Sequence, residues 1–375
     1  MDPTIVAFDR EIFLMQNYGG ISNYFSRIIK NLQLNNQLSI SPILTFERTS
    51  NYHLIENVEN SSILKPARKY IKSKGGISTG LTYGPVHSFS ARWAGGKSPR
   101  LSYDLIHATY YRPTIFELDR TKKIAVTVHD FIPEKLGWSG IRNPHIGKRK
   151  LVEKADVIFC VSKSTADDLS KYFGISGDRV VIAHHGVEMA SDLDLIQSSK
   201  ELNRPSVLYV GHRAGYKNFG ILPLALKAVS RKIPELILTM AGPELKSSEI
   251  QILDRCLGEG NWEFFLNPNE IELNALYKRA KAHCVTSLLE GFGLTILESM
   301  SFGTPVVLSD IQVFREVAGD NATYFNPNSI EDLAFSLEVN LIKSYDHLNQ
   351  MKIVDHAKSF SWQNSAEIHA NAYSR

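Results

Sequence analysis

The chain has 375 residues, enough for two domains and for a core that needs no disulfide or metal staple. Hydrophobic residues at 43% and charged residues at 22% exclude bulk disorder, and 42 Lys+Arg against 39 Asp+Glu leave +3, too little for a whole-molecule nucleic-acid binder. No apolar run reaches the about 18 residues that span a bilayer, the Met-Asp-Pro start lacks the basic region of a secretory leader, and the scattered Cys160, Cys256 and Cys284 read as reduced core thiols of a cytoplasmic protein.

The first predicted strand is 4–8. A helix follows in which Ile21, Tyr24, Phe25, Ile28, Ile29 and Leu32 form one apolar stripe. Strands are predicted next at 105–108, 124–128, 157–161 and 180–183, with a helix at about 164–173. The stretch 188–205 is polar and poor in pattern. A second series then opens, with strands at 207–210, 236–240, 282–286 and 305–308. Its helices are at about 218–232, 269–281, 294–302 and 330–341, and a last helix runs from about 360 to 372. The strands are continuous apolar runs rather than alternating ones, as in parallel sheets covered on both faces by crossover helices. The fold class is therefore α/β, with one domain over 1–187 and another over 188–359.

Residues 61–100 carry Lys65, Arg68, Lys69, Lys72, Lys74, Arg92, Lys97 and Arg100 and no acid, with Tyr70, Tyr83, Phe89 and Trp93 interleaved. Lys148, Arg149 and Lys150 form a second basic cluster. Such segments are either solvated surface or a face for an anionic acceptor or an acidic membrane. No nucleic-acid-binding module accompanies them.

The chemistry concentrates in 282–309. A strand ends near Ser287, a loop carries Glu290, Gly291, Phe292 and Gly293, and a helix starts near Leu294 and Thr295. A glycine-flanked helix start presents backbone N–H groups and a positive dipole end to an anion. Glu290 in the loop and Glu298 in the helix can line one ligand at different points. Gly19 and Gly20 likewise follow a strand and open a helix, but not as G-x-G-x-x-G, so a nicotinamide-dinucleotide reading is disfavoured. His129 stands at the carboxyl end of strand 124–128, where open α/β sheets bind ligands. Asp130 either orients that imidazole or caps the turn at Phe131. Arg213 and Lys217 follow strand 207–210, and two cations on one loop suit a leaving diphosphate. No H-x-x-H or cysteine pair, and no D-x-D in the sense of a metal-binding glycosyltransfer motif, implies a metal.

Glu290-Gly291-Phe292-Gly293, then four residues and Glu298, resembles the E-x7-E motif of retaining glycosyltransferases of family 4, enzymes of the GT-B fold. Further anchors are similar in the family's order: Tyr18-Gly19-Gly20-Ile21, Val126-Thr127-Val128-His129-Asp130, Tyr209-Val210-Gly211-His212-Arg213 through Lys217-Asn218, Ala241-Gly242-Pro243 and Gly303-Thr304-Pro305. The resemblance implies two Rossmann-like domains with parallel sheets facing a central cleft, the donor on the C-terminal domain, the acceptor on the N-terminal one, and a C-terminal helix, about 360–375, crossing back onto the latter. It implies that Glu298 holds the nucleotide ribose and Glu290 the donor sugar. The N–H groups of Phe292, Gly293, Leu294 and Thr295 would hold sugar and phosphate, and His129 would face the sugar. Gly19, Gly20, Gly211, Gly242 and Pro243 would line the donor. The catalytic set is then Glu290, His129, Arg213 and Lys217. The family's usual form has Arg directly before the Lys, whereas Tyr216 stands here, and Asn267 replaces a frequent glycine.

The expected activity is metal-independent, cofactor-free retaining hexosyl transfer by front-face attack. The donor is expected to be GDP-mannose, with a UDP-hexose as the alternative. The acceptor is a glycan or lipid-diphosphate-linked glycan of a bacterial surface polysaccharide, met at the cytoplasmic membrane face. A nucleotide-sugar epimerase and a non-catalytic nucleotide-sugar-binding partner are the rival readings.

Overall fold

The structure is a computed structural model that describes residues 2–46, 49–58, 102–111, 122–140, 143–190, 204–213, 215–342 and 347–375. The basic segment 61–100 lies outside the described residues. The chain forms two compact units, Met1–Gly186 together with Trp362–Arg375, and Val187–Ser361.

The first unit is built on β1 (Thr4–Phe8), β2 (Ile40–Leu44), β3 (Leu105–Ala108), β4 (Lys123–Val128), β5 (Val157–Cys160) and β6 (Val180–Ile182). They form one sheet in the order β2-β1-β3-β4-β5-β6, with every pairing parallel. The central strands are apolar on both faces because helices cover both, as β3 and β5 show by complete burial. The helix Gly20–Leu34 buries Tyr24, Phe25, Ile28, Ile29 and Leu32, five of the six residues of the predicted stripe. The sequence pattern missed β2, which contains Pro42. Proline cannot donate to a ladder, and the strand sits at the sheet edge, where that costs nothing.

The C-terminal helix Trp362–Tyr373 closes this unit through a buried polar chain. His369 Nδ1 lies 2.7 Å from the Ser365 carbonyl oxygen, so it carries the proton and donates. Nε2 therefore accepts from the Tyr24 hydroxyl at 2.7 Å, which accepts from Thr127 at 3.2 Å. Thr127 accepts in turn from His107 Nε2–H at 2.9 Å, and His107 Nδ1 accepts from the Tyr373 hydroxyl at 2.6 Å. Each hydroxyl and imidazole is satisfied once, in one direction, which is how a buried polar network avoids a desolvation penalty.

The second unit carries β7 (Ser206–Val210), β8 (Ile237–Gly242), β9 (Trp262–Leu266), β10 (Ala282–Val285), β11 (Val306–Ser309) and β12 (Thr323–Phe325), ordered β12-β11-β10-β7-β8-β9 and all parallel. Its core includes Val207, Leu222, Leu226, Leu238, Met240, Leu253, Cys284, Val307, Leu333 and Leu337. The order reverses between β7 and β10, so the carboxyl ends of these two strands form the topological switch point where open sheets bind ligands. The edge strands β9 and β12 went unpredicted: one is only half-buried and the other is three residues long. The helix expected at 218–232 is shorter, Ile221–Val229, and β8 extends two residues further, to Gly242. All three cysteines are free and buried.

Candidate functional site

In the second unit the loops after β7 and β10 meet at the switch point. Lys217 closes a single 3-10 turn, Gly215–Lys217, and its ammonium lies 2.6 Å from Glu290 Oε1. The same carboxylate oxygen accepts from the Ser287 hydroxyl at 2.8 Å. The backbones are stitched together as well: Thr286 Oγ1 donates to the Lys217 carbonyl at 2.8 Å, and Leu288 N–H donates to that of Tyr216 at 2.7 Å. Lysine and glutamate are both largely covered, so their charge-assisted bond is less screened than a surface pair.

Just beyond Glu290, Gly293 begins the helix Leu294–Ser301 at φ 107°, and no side chain caps it. The first-turn N–H groups of Leu294 and Thr295 are therefore placed to receive an anion. A Cβ at Gly293 would crowd Ile296 Cδ1 at 2.9 Å and Phe314 Cε1 at 3.1 Å, but it is the left-handed backbone that favours glycine there. One turn into this helix, Glu298 accepts from the buried Tyr277 hydroxyl at 2.7 Å. The two glutamates thus have separate anchors.

Arg213 does not join Lys217. Its Nη2 donates to the carbonyls of Pro243 at 2.5 Å and Glu244 at 2.8 Å, and its Nη1 to that of Gly211 at 3.3 Å. Its Nε approaches Glu249 at 3.2 Å. The side chain is buried and ties the β7 loop to the turn after β8, where Gly211 and Gly242 also meet. The expectation of two cations side by side is corrected: Lys217 pairs with Glu290, while Arg213 braces the backbone of the turn after β8. Beside them, burial together with Lys217 and Arg213 holds the His212 imidazole below its ordinary pKa, and the Tyr209 hydroxyl donates to the His212 carbonyl at 2.6 Å.

In the first unit, His129 follows β4 directly and is buried. Its backbone N–H donates to the Tyr111 hydroxyl at 3.1 Å, its ring packs edge-on against Tyr24 at 5.1 Å, and Nε2 is buried without a hydrogen-bond partner. Burial, reinforced by His145 and Lys148, pushes its pKa down to about 3, so the imidazole is neutral. Asp130 caps the next turn, accepting from Ile132 N–H at 2.9 Å, the second of the two roles the sequence offered. Lys148, expected at a basic surface, is fully buried beneath this loop. Gly19 is extended rather than left-handed; what it supplies is room, since a Cβ there would lie 2.5 Å from Gln16 Oε1, which accepts from Ser22 N–H in the first turn of Gly20–Leu34.

Sequence reasoning missed Ser287, Tyr277 and Glu249. Ser287 was within reach, three residues before Glu290 at a strand end. Tyr277 and Glu249 lie on other helices and carry no local signal.

Residues 192–353 match the family Glycosyl transferases group 1, and residues 74–191 match Glycosyltransferase Family 4. The chain is 26% identical over 281 residues to O-antigen chain mannosyltransferase B of Escherichia coli, covering 70% of this chain and 73% of that protein. It is 28% identical over 276 residues to the serotype-specific mannosyltransferase WbdA of Escherichia coli, covering 68% of this chain but only 33% of that longer protein. Sucrose-phosphate synthase from Thermosynechococcus elongatus superposes with a TM-score of 0.69 at 16% identity, over 99% of this chain and 98% of the other. That likeness concerns the fold. With the two matched segments adjoining, the doubly wound sheets and the E-x7-E loop at the switch point, the chain belongs to the GT-B type glycosyltransferases of family 4.

Proposed function

We propose that this glycosyltransferase moves a hexose, mannose from GDP-mannose in the first instance, onto a glycan or lipid-diphosphate-linked acceptor of a bacterial surface polysaccharide, with retained anomeric configuration. The observation that carries this reading is the Lys217–Glu290 pair at the switch point, beside an uncapped helix start. Both Escherichia coli relatives are mannosyltransferases, which supports mannose, and the first is an O-antigen chain enzyme, which supports a product of that type.

In this reading the diphosphate lies against Lys217 and the N–H groups of Leu294 and Thr295. Glu290 holds sugar hydroxyls, and Glu298 holds the ribose. As the bond from C1 to the phosphate oxygen breaks, negative charge grows on the diphosphate, and the interaction with Lys217 strengthens where it lowers the barrier. The acceptor hydroxyl attacks C1 from the same face, and its proton passes to the departing phosphate oxygen. A covalent adduct trapped on Glu290 would overturn that route in favour of double displacement. Because the chain's own cation and N–H groups meet the charge, activity is expected to survive EDTA; loss with rescue by Mg²⁺ would contradict this. Residues 61–100 bring eight basic side chains and no acid, which supports peripheral contact with an anionic membrane face. Binding to anionic vesicles should then fall as salt is added.

The test is a donor panel of GDP-mannose, UDP-glucose, UDP-galactose, UDP-GlcNAc and UDP-GalNAc, scored by thermal shift and slow donor hydrolysis. GDP-mannose as the one strong responder supports the reading. A response confined to a UDP-sugar replaces the donor while keeping the chemistry, and no response to any donor sinks it.

A further inference from the structure

Three rings gather on the surface of the first unit. Tyr18 and Tyr52 are 58% and 49% exposed, and His53 lies beneath them. Tyr18 sits 4.4 Å from His53 and 5.9 Å from Tyr52 between ring centroids, and Tyr52 sits 5.6 Å from His53. Exposed rings gathered into one patch, unlike apolar residues scattered singly, are a mark of a binding surface.

Their position is defined by the topology. Tyr18 is on the loop following β1 and its short helix Glu11–Met15, while Tyr52 and His53 begin the helix Tyr52–Asn57 after β2. The two strands are parallel neighbours, so both loops stand at the carboxyl rim of the sheet, the ligand side of an open α/β sheet. The rim is fastened. Tyr52 N–H donates to the Asn17 carbonyl at 2.9 Å, Ser50 Oγ donates to Asn17 Oδ1 at 2.9 Å, and the buried Asn51 donates from Nδ2 to the Gln16 carbonyl at 2.5 Å while accepting from Leu54 N–H at 2.9 Å. A platform already locked in place loses little entropy on binding.

Burial, with Arg27 nearby, pushes the His53 pKa down to about 4, so the ring is uncharged at neutral pH. Among the described residues, the polar groups fastened at this rim include the Asn17 amide and the Ser50 hydroxyl, and the carboxylate of Glu56 is engaged by the Tyr52 hydroxyl at 3.2 Å. A pyranose wants what is present: an aromatic face for its C–H side and amides or hydroxyls for its edge.

We propose that Tyr18 and Tyr52, on the rim cross-linked through Asn17 and Asn51, form a stacking subsite for a neutral hexopyranose of the acceptor glycan. Calling that sugar the acceptor rests on the glycosyl-transfer reading; the binding itself does not.

Saturation-transfer NMR on the full chain tests it, with methyl α-D-mannopyranoside, methyl α-D-glucopyranoside and methyl α-D-galactopyranoside as probes and uridine as the aromatic-stacking control. Saturation should reach the ring C–H protons of at least one glycoside. Tyr18→Ala and Tyr52→Ala should each weaken its binding about tenfold, the size of one aromatic contact. Tyr18→Leu, which keeps bulk without a ring, should fail likewise, and Tyr18→Trp should restore binding, each variant being checked for an unchanged Tm. The same spectra on Lys217→Ala separate the two readings, since glycoside binding should persist there whatever happens to the donor. Absence of transfer from every glycoside, a signal unaltered in the Tyr18→Ala/Tyr52→Ala double variant, or displacement by uridine alone would overturn the proposal.

Discussion

Lys148 carries its charge to a place with no exposed surface. Its ammonium donates to the Asp130 carbonyl at 2.8 Å, to Glu134 Oε2 at 2.8 Å and to His145 Nδ1 at 3.1 Å, and it lies 4.0 Å from the centre of the Phe131 ring. Burial lowers the lysine's pKa, while Asp130 and Glu134 pull it back up. His145, pushed down to about 2 by burial and by Lys148, is the neutral acceptor in this set, so its 4.0 Å approach to Asp130 is not an ion pair. Truncating one partner of such a set leaves the others buried and unpaired. Lys148→Ala should cost about 3–5 kcal/mol in urea unfolding, far more than Arg149→Ala on the exposed side of the same helix. Equal costs would refute the account. Lys217 makes a different case, because its bond to Glu290 faces the reacting groups in the proposed chemistry. Lys217→Ala should lower kcat by about 10²–10³-fold with a smaller change in donor KM. A loss confined to KM would assign Lys217 to ground-state binding.

At the scale of elements, the glycines that end strands or begin helices make separable predictions. Gly242 has φ 151°, and a Cβ there would lie 2.6 Å from the Gly211 carbonyl oxygen, a backbone atom that cannot swing aside. Gly242→Ala should therefore destabilise the second unit by about 1–3 kcal/mol. Gly20→Ala meets nothing within 4 Å and sits in the first turn of a helix, so it should leave Tm unchanged or raise it. A melting series of the two variants distinguishes packing from a mere dislike of substituted glycine. The same contrast explains what was legible in the sequence. The E-x7-E loop, the stripe of Gly20–Leu34 and the central strands are encoded by neighbours in sequence and could be read directly. The edge strands could not: Pro42 disguises β2, and β12 has only three residues. Nor could the aim of Arg213, which is set by carbonyls about thirty residues away on the turn after β8. Sequence places a charge on a loop; tertiary partners decide whether it faces a ligand or braces the backbone.

The whole molecule divides unevenly in its response to acid. In the first unit, burial lowers the pKa of His129 to about 3, of His145 to about 2, and of His53 and His369 to about 4, and it holds His107 and His185 well below the ordinary value. Among the described residues of the second unit, the buried histidine lowered in this way is His283, to about 3, with a shift of the same sign at His212 on the surface. A histidine whose folded pKa lies below its unfolded value binds its proton more readily in the unfolded chain. Folding stability is then intact above about pH 6.5 and falls as pH drops through the window toward the folded values. Each fully buried histidine can cost up to about 2 kcal/mol by pH 5. Asp9 pulls the other way, because burial raises its carboxyl to about 7 and the folded state holds that proton more tightly; it is one group against six. The polar chain from Tyr373 to Ser365 adds a structural reason, since a second proton on His107 or His369 turns an acceptor into a donor facing a hydroxyl that already donates. Amide hydrogen exchange at about pH 7.5 and about pH 5, corrected for intrinsic rates, should show β4 and the helix Trp362–Tyr373 losing protection before β8 and β10. Parallel loss in both units would mean that the buried histidines of the first do not govern its acid stability.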